Sequence, residues 1–321
     1  MTYYPNGNTN YVSFPGLGID EFAVDPVAFT LFGREVRWYG IIITFGIIAA
    51  FMYVWYRTAY KKKMLTDDLL DCALIIVPVS IICARLYYVL FDRNGTYNDF
   101  IDVIAIWDGG LAIYGAIIGG AITTFIIFYI KGIRFFKLCD AVGPAVMLGQ
   151  LIGRWGNFTN GEAFGAETDS LFRMTLSHIP GQVQTTVHPT FLYESLWNLL
   201  GFILINVFYK KKRFDGQWVL AYIAWYGLGR GFIEMLRQDS LYVGNTDIRV
   251  SSLLGFILFI FATALIIFFM IRPSILGKEE EFYLPTSKSY AKVVKTDEKP
   301  ANEVSQSTQT EASDNIQLKG D

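Results

Sequence analysis

Gly153-Arg154-Trp155-Gly156-Asn157-Phe158-Thr159-Asn160-Gly161-Glu162 follows without a break on an apolar run at 138–152. If that run crosses a bilayer, the arginine at its end costs roughly 2.5–3.5 kcal/mol on insertion scales, and an anion that offsets the cost is expected. Arg154, Asn157 and Gly161 stand three and four residues apart, which on a helix puts them on one face. An arginine that snorkels to the headgroups is the plainer reading. The crowding of Asn157, Asn160 and several glycines at the same place favours a ligand site.

Outward from this stretch lie the other apolar runs, at 38–56, 69–91 (with Pro78 inside, where a kink is expected), 111–130, 190–209, 218–229 and 250–271. The chain is 53% hydrophobic and 17% charged over 321 residues, with a mean hydropathy of +0.35. Soluble domains carry roughly 25% charged residues, so the runs read as seven transmembrane helices of an all-α, polytopic membrane protein. Lys61, Lys62 and Lys63 follow the first run, Lys131, Arg134 and Lys137 the third, and Lys210, Lys211, Lys212 and Arg213 the fifth. Connections after the even-numbered runs have scattered arginines and no lysine. This asymmetry puts the N-terminus outside and the C-terminus in the cytoplasm. A re-entrant fourth run, the shortest but one, would break the alternation.

Three regions follow. Residues 1–36 form an extracytoplasmic or interfacial segment, expected to be irregular or amphipathic. Residues 37–272 form the seven-span membrane domain, with a small extracytoplasmic insertion at about 153–188 between spans four and five. Residues 273–321, rich in Lys, Glu, Ser and Thr from Gly277 onward, read as a disordered cytoplasmic tail. The first ten residues show no basic segment ahead of an apolar core, so the first span is expected to serve as the export signal. With this topology every unusual polar cluster falls on the outer side.

Arg230, Glu234 and Arg237 share a helical stripe at i, i+4 and i+7. They read either as a structural ion-pair ladder or as an anion site in which Glu234 orients the arginines. The choice of Arg over Lys suits bidentate bonding to a phosphate or carboxylate. Trp107-Asp108-Gly109-Gly110 precedes the third run, where Asp108 is a candidate helix cap. Gly110, Gly115 and Gly119 allow a backbone or lipid chain to come close, and Tyr114 reads as a headgroup contact or a belt anchor. His188-Pro189-Thr190-Phe191-Leu192-Tyr193-Glu194 opens the fifth run; His188 is a candidate base, Tyr193 and Glu194 are unusual inside an apolar run, and His178 lacks a motif. Cys72, Cys83 and Cys139 show no CxxC pairing and read as buried small hydrophobes. There is no GxSxG, HExxH or Walker sequence and no magnesium-type arrangement of aspartates, so no metal or cofactor is expected.

Taken in order, Arg37-Trp38-Tyr39-Gly40, Trp107-Asp108-Gly109-Gly110, the 153–162 stretch, the 188–194 stretch and Gly229-Arg230-Gly231-Phe232-Ile233-Glu234 resemble the sequence blocks of prolipoprotein diacylglyceryl transferases. The resemblance covers about 37 to 272. It implies a multi-pass enzyme of the bacterial plasma membrane, with its site toward the outer leaflet and no nucleic-acid partner. The reaction it implies moves the diacylglyceryl group of phosphatidylglycerol to the lipobox cysteine thiol of prolipoproteins and releases glycerol 1-phosphate. By similarity Arg154 would bind the lipid phosphate and Arg230 would be the second essential arginine, with Tyr39, Asn157, Asn160, Gly165 and Glu234 in the same site. Some relatives carry a histidine where this chain has Tyr114, which leaves His188, Tyr114 or no strong base as the alternatives. A transporter shares intramembrane arginines, but the two halves of this chain show no self-similarity.

Overall fold

The computed structural model describes residues 9–60, 64–92, 97, 99–106, 110–177, 185–238, 240–242, 246–272 and 281–293. Lys61, Lys62, Lys63, Trp107, Asp108, Gly109, His178 and the chain after 293, all singled out in the sequence, lie outside the described residues. The chain divides into two compact units, residues 1–54 with 139–279, and residues 55–138 with 280–321.

Both units are built mainly from long apolar helices. These are α1 (Trp38–Trp55), α2 (Thr66–Phe91), α4 (Ile113–Lys131), α5 (Phe135–Asn160), α6 (Thr190–Phe208), α7 (Gln217–Ile233) and α8 (Val250–Ile271), with a one-turn α3 (Phe100–Ile104). Six of them, all but α3 and α7, are long and apolar enough to cross a membrane. The chain is a mostly helical, polytopic membrane protein. The expected sixth span is α7, which has 17 residues and continues as a 3-10 turn, Glu234–Leu236. Pro78 sits inside the continuous helix α2.

The all-α expectation fails at the two non-membrane segments. The N-terminal stretch, expected to be irregular, forms β1 (Asn10–Phe14), β2 (Ile19–Val24), β3 (Val27–Leu31) and β4 (Arg34–Arg37), and the insertion adds β5 (Met174–Ser177) and β6 (Thr185–Val187). All the pairings are antiparallel, in the order β2-β1-β5-β6, with a separate β3-β4 hairpin. Strand β1 alternates buried and half-buried residues, as a sheet with one packed face requires. Val12, Phe14, Met174, Leu176, Val187 and Phe191 make its core, with Phe158 and Phe164 against it. The sheet thus sits on the ends of α5 and α6, where the site is.

Helix α5 also runs further than expected. The apolar run stops at Ile152, yet the helix carries the next eight residues to Asn160. Phe158 holds this extension down against Phe191, ring centroids 4.7 Å apart. Gly161, at φ 65°, then ends the helix in a Schellman cap. Its N–H bonds Phe158 O at 3.0 Å, and the Glu162 N–H bonds Asn157 O at 3.1 Å.

Small residues set the helix spacings in the first unit. A Cβ at Gly227 would meet Gly255 O at 2.5 Å, and one at Gly231 the Phe256 ring at 2.7 Å, so α7 and α8 touch backbone to backbone. Ser252 Oγ donates to Gly231 O at 2.7 Å across this seam. Between α6 and α7, Trp197 and Trp225 stack at 4.3 Å, each indole N–H donating to the other's carbonyl at 2.9 Å.

In the second unit α4 packs on α2 through Gly115 and Gly119, whose Cβ atoms would meet Cys83 O at 2.3 Å and Cys83 Sγ at 2.4 Å. The close neighbour anticipated for these glycines is a backbone at Gly115 and a side chain at Gly119. Arg85, from α2, donates to the carbonyls of Val103, Asp102 and Gly110 at 2.9, 2.6 and 3.1 Å, which ties down the approach to α4. The tail corrects an expectation where it is described. Phe282 and Tyr283 are buried, and Arg134 N–H bonds Phe282 O while Leu284 N–H bonds Gly132 O, both at 2.8 Å. The Tyr283 hydroxyl donates to Asp68 Oδ2 at 2.8 Å and accepts from the Leu65 N–H at 3.0 Å. Two aromatic residues in an otherwise polar stretch supply the buried area that composition alone understates.

Candidate active site

The site belongs to the first unit and is assembled where α5, α6 and α7 end near the sheet. Helix α6 begins after Pro189, and Thr190 is fully buried with its hydroxyl donating to Ala163 O. That bond fixes the loop following α5 against the start of α6. Gly165 continues the stitching. Its N–H bonds His188 O at 2.8 Å and the Ala166 N–H bonds Leu236 O at 2.6 Å. A Cβ at Gly165 would meet His188 Cβ at 2.7 Å and Leu236 O at 2.8 Å, so no larger residue fits between α6 and the end of α7.

At the centre stands Glu194, 5% exposed. One of its oxygens, Oε2, lies 2.5 Å from Arg154 Nη2. The other, Oε1, is 3.4 Å from Arg230 Nη1 and 3.5 Å from Arg237 Nη1. Glu234, also buried, meets Arg230 Nη2 at 2.6 Å, an ion contact out of line for a hydrogen bond, and Arg237 Nε at 4.0 Å. Arg249 donates to the Glu234 carbonyl from the start of α8. Three guanidiniums therefore face two carboxylates, a surplus of one positive charge among these five side chains. A buried charge without an opposite partner costs several kcal/mol, so the carboxylates are what allow the arginines to be held here. The side chains of Arg154 and Arg230 are 20% and 19% exposed and retain donor edges for an anion.

The remaining expected residues lie around this cluster. Tyr39, on the first turn of α1, packs its ring over Gly156, where a Cβ would meet it at 3.0 Å. Asn157 Nδ2 donates to Glu162 Oε1 at 3.0 Å, with Asn160 Nδ2 at 3.5 Å from the same oxygen. Gly161 is backed by the Asn10 side chain, 2.8 Å from where its Cβ would be. His188 Nδ1 lies 3.2 Å from the Tyr193 hydroxyl, and partial burial pushes its imidazole below the usual pKa. A histidine so placed is neutral near pH 7 and able to accept a proton.

Tyr114 belongs to the second unit, on the first turn of α4, with its ring 6.4 Å from Tyr87. Conversely, Glu194 takes the central place although the sequence marks it only as a carboxylate inside an apolar run. Arg237, read as the third member of a stripe, turns out to bridge both carboxylates, and the sequence gives no sign of Arg249. Among the described residues no group of three His, Cys, Asp or Glu is arranged to hold a metal.

A family model described as prolipoprotein diacylglyceryl transferase matches residues 26–268. Similar proteins named phosphatidylglycerol–prolipoprotein diacylglyceryl transferase include that of Listeria innocua, 42% identical over 252 residues, which span 76% of this chain and 90% of the relative. That of Ligilactobacillus salivarius is 43% identical over 254 residues, 76% and 93% of the two chains. That of Lysinibacillus sphaericus is 41% identical over 243 residues, 73% and 88%. The matched span holds the whole arginine–carboxylate cluster together with the helices that carry it, and by this match the chain belongs to the prolipoprotein diacylglyceryl transferase family.

Proposed function

We propose that the chain transfers the sn-1,2-diacylglyceryl group of phosphatidylglycerol to the lipobox cysteine thiol of a prolipoprotein, releasing glycerol 1-phosphate. The observation that carries this reading is the convergence of Arg154 and Arg230, from separate helices, on Glu194. Family membership and the names of the relatives support it. In this reading α7 with its 3-10 extension is a seventh span, and the lysine-rich connections put the N-terminus outside and the C-terminus in the cytoplasm. The arginine cluster then faces the outer leaflet of the plasma membrane, where lipid arrives laterally.

The chemistry asks little of a base and much of the cations. A cysteine thiol with a pKa near 8.5 is already a few per cent thiolate at neutral pH. The thiolate attacks the glyceryl carbon, the carbon–oxygen bond breaks, and the electron pair leaves with the phosphate, whose charge goes from one toward two. Arg154 and Arg230 bind that developing charge better than the ground state, which lowers the barrier. Glu194 and Glu234 hold the guanidiniums in place, so little reorganisation is needed as charge moves. Tyr39, Asn157, Asn160 and Gly165 shape the lipid side of the site, and His188 is the group in this unit best suited to take the thiol proton.

The test is direct. Purified protein with labelled phosphatidylglycerol and a lipobox peptide is expected to yield a thioether-linked lipid and one glycerol phosphate per transfer. A peptide with serine in place of the cysteine should give neither. Failure of the cysteine peptide to acquire label would refute the reading.

A further inference from the structure

A small cavity is lined by Glu194, Trp197, Asn198, Tyr226, Gly229, Arg230 and Ile233, with about 10 Å³ open to a water-sized group. Asn198 is 3% exposed. Its Nδ2 donates to Glu194 O at 2.9 Å, one turn back on α6. Because that partner is a carbonyl, the amide orientation is settled, and the other end of the side chain is the oxygen. That Oδ1 is buried and has no hydrogen-bond partner. An orphaned buried acceptor costs about 1–3 kcal/mol, and nothing in the arginine–carboxylate network uses it.

We propose that this cavity is a hydroxyl seat for the lipid headgroup, and that Asn198 selects a hydroxyl-bearing headgroup. The inference rests on the transfer reaction proposed above. In that reading Arg230 holds the phosphate, and the same Arg230 lines the cavity beside Asn198, whose acceptor needs a donor. The volume suits one hydroxyl. A site with a buried polar group waiting for a hydroxyl rejects the analogue lacking it far more strongly than an apolar pocket rejects a missing methylene.

The experiment compares transfer to a lipobox peptide from phosphatidylglycerol and from phosphatidylpropanol, which keeps the phosphodiester and acyl chains but has no headgroup hydroxyl. The wild-type enzyme is expected to prefer phosphatidylglycerol by about tenfold or more in kcat/KM. Asn198→Leu removes the acceptor at similar volume. It is expected to bring the preference within about threefold, by lowering phosphatidylglycerol turnover while phosphatidylpropanol turnover is nearly unchanged. Equal wild-type rates on the two lipids overturn the proposal. So does a parallel loss on both in Asn198→Leu, which is what a packing role or a seat for a buried water only would give. Absence of wild-type transfer from either lipid overturns the reaction itself, and the seat with it.

Discussion

Among its described residues the first unit contains two buried ionic clusters, and they are built to opposite ends. At one, Asp140 is fully buried, and its two oxygens accept the N–H groups of Gly216, Trp218 and Val219 at 2.9, 2.6 and 3.2 Å. Lys212 Nζ adds an ion pair at 2.6 Å and also pairs with Asp215. A carboxylate on α5 thus caps the N-terminus of α7, where the helix dipole favours negative charge. At the other, Glu194 is also buried, but it is shared among three arginines whose donors outnumber what it accepts. Burial and pairing alone therefore do not mark a functional site. The Asp140 cluster saturates its own carboxylate and ends there, whereas the Glu194 cluster leaves a positive surplus.

The strongest way to break the contrast is to remove a cation from the surplus. Arg154→Ala and Arg230→Ala are each expected to lower transfer about a thousandfold or more while leaving the thermal unfolding midpoint in detergent close to wild type. Near-normal turnover in Arg230→Ala would end the comparison. Asp140→Ala tests the other side. It uncaps α7 and leaves Lys212 with less to pair, at an expected cost of about 3–5 kcal/mol in stability. The fraction that remains folded should transfer lipid at nearly the wild-type rate per molecule.

Smaller effects sharpen the picture around the base. Burial holds the His188 imidazole below its usual pKa, so its neutral, proton-accepting form persists to lower pH than for a free histidine. Wild-type transfer should therefore fall on the acid side only below about pH 6.5. His188→Ala should lose that limb, keeping only the slope set by the peptide thiol, with a plateau about tenfold lower. Superimposable pH–rate profiles would remove His188 from the mechanism. Tyr114→Phe should slow transfer no more than about fivefold, the worth of one ordinary hydrogen bond.

The helices were legible because each is a local apolar run, and the runs predicted at 69–91, 190–209 and 250–271 lie within a few residues of α2, α6 and α8. Arg154 and Arg230, at the ends of such runs, were legible for the same reason: their cost is visible in one window of sequence. The strands were not. Tyr11 pairs with Ser177, and no local pattern in strands this short announces a partner so distant. The extension of α5 to Asn160 escaped because it depends on Phe158 meeting Phe191 and the sheet rather than on the propensity of a glycine-rich stretch. Glu194 escaped for a related reason. Its meaning comes from Arg154, Arg230 and Arg237, and each of them reads alone as a plausible anion ligand.

The Tyr283 clasp has a bearing on assembly order. Its hydroxyl joins Asp68 and the Leu65 N–H, residues made more than two hundred positions earlier. Helices α2 and α4 enter the bilayer and pack through the glycines of α4 long before this tyrosine leaves the ribosome. The second unit is thus finished last although its helices are inserted early, and its ends near Leu65 and Gly132 stay unfastened while residues 139–279 of the arginine-bearing unit are being synthesised.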